Sequence, residues 1–149
     1  MKFQDPESHI HLIARGLLMY KEEIILCRVK GSKWFFLPGG HIEDGEPARV
    51  ALLRELNEEI GTGNYEVASF IGVCENVFPL EEGILQHEIN IAFKVNVPDD
   101  LEVNTKEGHI EFVSIDKADL KNYNILPAAL KDGLIEWFND AKPFFKEIK

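Results

Sequence analysis

From Leu85 to Val97 the chain alternates: His87, Ile89, Ile91, Phe93 and Val95 fall on one side of an extended backbone, and Glu88, Asn90, Ala92 and Lys94 on the other. Successive side chains of a strand point to opposite faces, so this pattern predicts a β-strand. Tyr65 to Phe78 is a second long β-rich run, divided from the first by the turn-forming segment Pro79 to Gly83. His9 to Tyr20 and Ile24 to Val29 read as strands on either side of a Lys21-Glu22-Glu23 turn, Trp34 to Leu37 as a short strand, and Ile110 to Ile115 as a further one. Between residues 46 and 61 the periodicity changes. There Val50, Leu53 and Ile60, with Ala51, Leu52 and Leu56, supply the apolar surface of a helix. Glu46-Pro47 opens it, because proline is tolerated at the first helical position, and Gly61 closes it. Asp116 to Leu120 predicts a short helix and Leu126 to Asn139 a longer one. Strands before and after a central helix, followed by a C-terminal helix, predict an α/β fold with helices on both sides of a mixed sheet. No repeat, low-complexity tract or linker interrupts the chain, so residues 1–149 are expected to form one domain.

The polar face of the central helix carries the chemistry. Glu55, Glu58 and Glu59 stand three and four positions apart, a spacing that stacks side chains on one helix face, about 5–6 Å between neighbouring Cβ atoms. Carboxylates so close repel one another unless a cation lies between them, and oxygen-rich sites suit Mg²⁺ or Mn²⁺. Just upstream, Leu37-Pro38-Gly39-Gly40 gives a stiff turn and two residues whose backbone can approach a ligand closely. The plainer reading is a solvated acidic face in which Arg54 and Glu58 form an ordinary i,i+4 pair. The ordered string around these glutamates argues against it.

That string is Gly40, five residues, Glu46, seven residues, then Arg54-Glu55-Leu56-Asn57-Glu58-Glu59-Ile60-Gly61. It resembles the Nudix box, departing only at Thr62, where an aliphatic residue is usual; the departure bears on packing rather than chemistry. The resemblance implies a Nudix-type α/β/α sandwich with a mixed sheet and a central acidic helix. It implies a MutT-like hydrolase that cleaves a pyrophosphate linkage in a nucleoside diphosphate joined to another group, by attack of water on phosphorus with Mg²⁺ as cofactor and Mn²⁺ as a substitute. Glu58 and Glu59 are expected as the main metal ligands, with Glu55 a third ligand or the orienting base and the Gly39 carbonyl facing the metal. Arg54 is expected to hold a helix carboxylate in place, Glu46 to tie the loop to the helix, and Gly40 and Gly61 to support the motif. Such sites are often completed by a carboxylate from elsewhere. Lys106-Glu107-Gly108 nominates Glu107, with Glu111 and His109 as fallbacks.

Composition narrows the partners. The net charge of −10 argues against a nucleic-acid duplex surface, which needs a basic stripe, but not against a polyphosphate handled through metal. A hydrophobic fraction of 45% and a mean hydropathy of −0.14 describe a soluble globular protein. Residues 1–8 hold no apolar signal stretch, and Cys27 and Cys74 lie in strand-like runs without ligand spacing. Buried free thiols in a reducing cytoplasm are therefore expected, with no membrane association. Substrate choice is less legible. Arg28 is a candidate phosphate contact, and Phe36 and Phe78 are candidates, with Trp34 and Phe35, to stack a base, although strand aromatics are more often core. The nucleoside triphosphates, ADP-ribose, nucleotide sugars and dinucleoside polyphosphates all remain open as substrates. Two other classes compete: a catalytically silent Nudix domain that senses nucleotide, and an acidic-helix interaction module that leaves the glycine loop and Arg54 unexplained.

Overall fold

A computed structural model describes residues 10–61, 63–80, 83–99, 101 and 108–148. Its strands are β1 (His11–Tyr20), β2 (Glu23–Val29), β3 (Gly39–His41), β4 (Glu66–Pro79), β5 (Leu85–Asn96), β6 (Ile110–Asp116) and β7 (Phe144–Ile148). Helix α1 is Ala48–Glu59 and α2 is Ala128–Asp140, with a 3₁₀ turn at Lys117–Asn122. The strands form one mixed sheet in the order β6-β2-β1-β5-β4-β7, with β3 paired to β1. β1 runs parallel to β5 and β4 parallel to β7, while the remaining pairs are antiparallel.

The alternation read from the sequence sorts side chains to two cores. Ala14, Leu18, Ile25, Phe93 and Val95 meet Leu52 and Leu56 of α1 and its cap residue Ile60. On the other face Leu17, Leu26, Cys74 and Ala92 meet Leu130 and Leu134 of α2. Helices thus cover both faces, as expected of the α/β/α arrangement. Neither cysteine is bonded and both are buried; burial pushes the Cys74 thiol up to about 11. Among the described residues no helix is long and apolar enough to cross a membrane.

Several details differ from the sequence reading. Pro47 is the cap rather than the first helical residue, with φ −64° and ψ 145°, so Glu46 stands in the loop before α1. Val50 is 51% exposed: it lies half a turn away from the buried stripe of Ala51, Leu52 and Leu56. Trp34 to Leu37 makes only isolated bridges, Cys27 to Phe36 and Phe35 to Ile125, instead of a strand. Two strands were not anticipated. β3 is too short and glycine-rich to show a period. β7 docks because the Phe144 ring lies over two glycines: a Cβ would come within 2.6 Å of it at Gly72 and 2.4 Å at Gly133.

Candidate active site

β3 places the glycine loop. Gly39 and Gly40 pair with Arg15 and Ala14 of β1, and the Gly16 amide donates to the Pro38 carbonyl at 2.8 Å. Gly39 has φ +146°, and a Cβ there would sit 1.9 Å from the Ala14 carbonyl oxygen, so only glycine fits. At Gly40 a Cβ would meet the Glu55 carboxyl group, 2.4 Å from Cδ. The missing side chain is therefore the seat of the Glu55 carboxylate, which joins helix to loop.

Arg54 fixes this arrangement. Its Nε donates to Glu46 Oε2 and its Nη2 to Glu46 Oε1, both at 2.8 Å, a two-pronged clamp. Nη1 donates to Glu55 Oε1 at 2.9 Å, and Nη2 also reaches the His41 carbonyl at 3.0 Å. Glu58 Oε2 lies 3.6 Å from Nη1 on the adjacent helical turn. Hydrogen bonding to Arg54 holds Glu46 down at about 2, and the same carboxylates push Arg54 upward. The Glu43 amide donates to Glu46 Oε1 at 3.2 Å and closes the loop on itself.

Glu58 is exposed, whereas Glu59 is partly buried and lines a cavity of about 200 Å³ with Phe36, Ile110 and Phe112. Among the described residues no three His, Cys, Asp or Glu side chains are grouped tightly enough to hold a metal as they stand. Arg54 draws Glu55 toward itself. The donor chemistry nonetheless fits a hard divalent ion: carboxylate and carbonyl oxygens, with the Glu55 carboxylate seated where a Cβ at Gly40 would otherwise stand.

The structure gathers Glu46, Arg54, Glu55 and Gly40, and sets Phe36 beside Glu59. It does not bring all the other candidates in. Arg28 is ion-paired with Glu111 at 2.8 Å and lies over the Phe35 ring, so each takes up the charge of the other. Phe35 is core, edge-on to Tyr123, and Trp34 is 52% exposed. Phe78 stands opposite Gln86 near the end of β4 and is not one of the described residues that line the cavity at Glu59. His109 is exposed, and its carbonyl takes the Lys30 amide. Gly61 follows α1, and its amide reaches the Leu56 carbonyl at 3.3 Å. Glu107 and Thr62 lie outside the described residues. One residue was missed. Arg15 lies in β1 with its guanidinium on the Leu37 carbonyl at 3.1 Å and on Asn90 Oδ1 at 3.2 Å. Its signal was a charged residue inside the apolar run Leu12-Ile13-Ala14-Arg15-Gly16-Leu17-Leu18.

The comparisons with known proteins agree with this fold. The crystal structure of a MutT protein from Methanosarcina mazei Go1 aligns with a TM-score of 0.69 at 23% identity, covering 93% of this chain and 99% of that one. A MutT protein from Bacillus halodurans aligns with a TM-score of 0.66 at 19% identity over 92% of this chain and 88% of that one. A UDP-X diphosphatase aligns with a TM-score of 0.64 at 17% identity, covering 93% and 68% respectively. At such identities the likeness is one of fold. No curated protein matches the chain. The NUDIX domain family model matches residues 10–137. With the box matched at every position but Thr62 and the family model spanning most of its length, the chain belongs to the Nudix family of hydrolases, pyrophosphohydrolases acting on nucleoside diphosphate derivatives.

Proposed function

We propose that this protein hydrolyses the pyrophosphate linkage of a nucleoside diphosphate joined to another group, with Mg²⁺ as its cofactor and Mn²⁺ able to replace it. The observation that carries the reading is the Arg54 clamp, which seats the Glu55 carboxylate on Gly40 while binding Glu46. Hydrolysis at phosphorus requires neutralised phosphoryl oxygens, an activated water and a stabilised leaving group. A bound divalent ion supplies the first and lowers the pKa of the attacking water. Glu58 and Glu59, with the Gly39 carbonyl, are the residues that would hold it. Glu55, with one oxygen on Arg54, would act through the other as a third ligand or to orient the water. Glu107 is the proposed carboxylate from outside the box, and Phe36, beside Glu59, the side chain best placed to touch the nucleotide.

The test is a panel of nucleoside triphosphates, ADP-ribose, nucleotide sugars and dinucleoside polyphosphates, run with Mg²⁺ in H₂¹⁸O. An enzyme of this kind places label in one phosphate product, and the labelled position identifies the phosphorus attacked. Turnover should vanish with EDTA and return with Mg²⁺ or Mn²⁺. Tight binding without labelled product across the panel would instead identify a nucleotide sensor, and undiminished turnover in EDTA would remove the metal from the mechanism.

A further inference from the structure

Arg15 is a cation with donors to spare at the glycine-loop end of the sheet. It pairs in register with Gly39 on one side and Ala92 on the other. A guanidinium carries five N–H donors. Among the described residues Arg15 uses Nε toward Asn90 and Nη1 toward Leu37, and makes no ion pair with a carboxylate. Arg15 is partly exposed, and its Nη2 has no hydrogen-bond partner among the described residues.

The surroundings hold the group in that attitude. Asn90 is fully buried, accepts from Arg15 and donates to the Cys74 carbonyl at 3.4 Å, which links β4, β5, β1 and the glycine loop through one chain of contacts. Burial lowers the Arg15 pKa, opposed by the carboxylates around it, Glu88 first and then Glu59 and Glu55. Two box carboxylates, Glu59 and Glu55, are thus electrostatic neighbours of this cation. The other arginines are occupied: Arg54 by Glu46 and Glu55, Arg28 by Glu111, and Arg49 by the carbonyls of Val67 and Ala68.

We propose that Arg15 grips the diphosphate of the substrate, its Nη2 hydrogens donating to non-bridging phosphoryl oxygens while Asn90 and the Leu37 carbonyl fix the plane of the guanidinium. The proposal rests on the hydrolase reading and replaces Arg28 as the phosphate contact. A planar fork with two anchored nitrogens matches a phosphoryl group as an ammonium does not. The anion would also answer a charge that the protein leaves unpaired within the described residues.

Binding separates the two claims. Wild type, Arg15→Met and Arg15→Lys are titrated with methylenediphosphonate in Mg²⁺, and separately with adenosine and guanosine, with thermal unfolding recorded for each variant. Arg15→Met should lose roughly 10- to 100-fold in diphosphonate affinity, the range for a hydrogen bond to a charged group. Arg15→Lys should lose less, and nucleoside binding should stay unchanged in both. On a substrate found by the panel, KM should rise more than kcat falls. Failure of the wild type to bind diphosphonate, wild-type affinity in Arg15→Met, or equal losses for diphosphonate and nucleoside would each overturn the assignment. If Arg15→Met does not fold, Arg15→Lys decides: lowered affinity at unchanged melting temperature supports phosphate binding, and the reverse denotes a structural role. An inactive panel with intact, Arg15-dependent diphosphonate binding would sink the hydrolase reading and leave this one standing.

Discussion

Glu46 is held at about 2 by the two donors of Arg54, and the pH dependence of stability follows from that. A carboxylate whose folded pKa lies below its unfolded value of about 4.3 stabilises the native state fully above the unfolded value. The contribution fades as pH falls toward the folded value. In denaturant titrations, wild type should therefore exceed Glu46→Gln in stability at pH 6, and the difference should shrink steadily between about pH 5 and pH 2. A gap that stays constant across that window would mean that the clamp acts through shape rather than charge. Glu58 and Glu59 call for the opposite expectation. Each Glu→Gln change should lower kcat on the order of 10²–10³-fold, as loss of a transition-state electrostatic contact does. Without metal neither variant should melt earlier than wild type, because repulsion along the helix face is relieved. Wild-type rates in both would rule out their role.

The short strand β3 shows how an element sets a site, and its two glycines fail differently. A Cβ at Gly39 would meet the Ala14 carbonyl at 1.9 Å in a backbone with φ +146°, so Gly39→Ala should destabilise the protein by about 2 kcal/mol or more. A Cβ at Gly40 meets only the end of the Glu55 side chain, which can swing aside. Gly40→Ala should fold nearly as well and yet lose up to about 10²-fold in kcat, the cost of misplacing a reacting group. Melting curves and steady-state rates on the pair would check this, and equal loss of stability in both would refute it. The same strand marks a limit of the sequence. The long strands and both helices were legible because ten or more residues repeat a period, and the box because its spacing is specific. β3 has three residues, two of them glycine, and is defined only by its partner β1. β7 was hidden because Phe144 docks on Gly72 and Gly133, which are distant in sequence. Arg15 was missed for a similar reason: its role depends on Leu37 and Asn90, contacts that alternation along one strand does not reveal. The partner of Arg28 was hidden in the same way: β6 brings Glu111 opposite it, 83 positions on in the chain.

At the scale of the whole molecule, a net charge of −10 and an acidic helix face predict that the fold itself responds to divalent ions. Any ion that binds the native site and not the unfolded chain adds RT ln(1 + [L]/Kd) to stability, about 2.7 kcal/mol at a hundred times Kd. For a chain of this size that corresponds to a rise in Tm of roughly 5–10 °C, scaling from about 2–4 °C per kcal/mol. Salt alone also screens self-repulsion in an acidic protein, so the comparison must be made at matched ionic strength. Mg²⁺ or Mn²⁺ should then raise Tm beyond the level reached with NaCl, and EDTA should return it. The metal-specific increment should be lost in the Glu58→Gln, Glu59→Gln double variant, in which both proposed main ligands have lost their charge. It should persist in Arg28→Gln, which alters a cation paired with Glu111 rather than a box carboxylate. Equal increments in wild type and the double variant would place the responsible ion elsewhere on the acidic surface. Loss of the increment in the double variant alone ties the ion to the helix, by a measurement that requires no knowledge of the substrate.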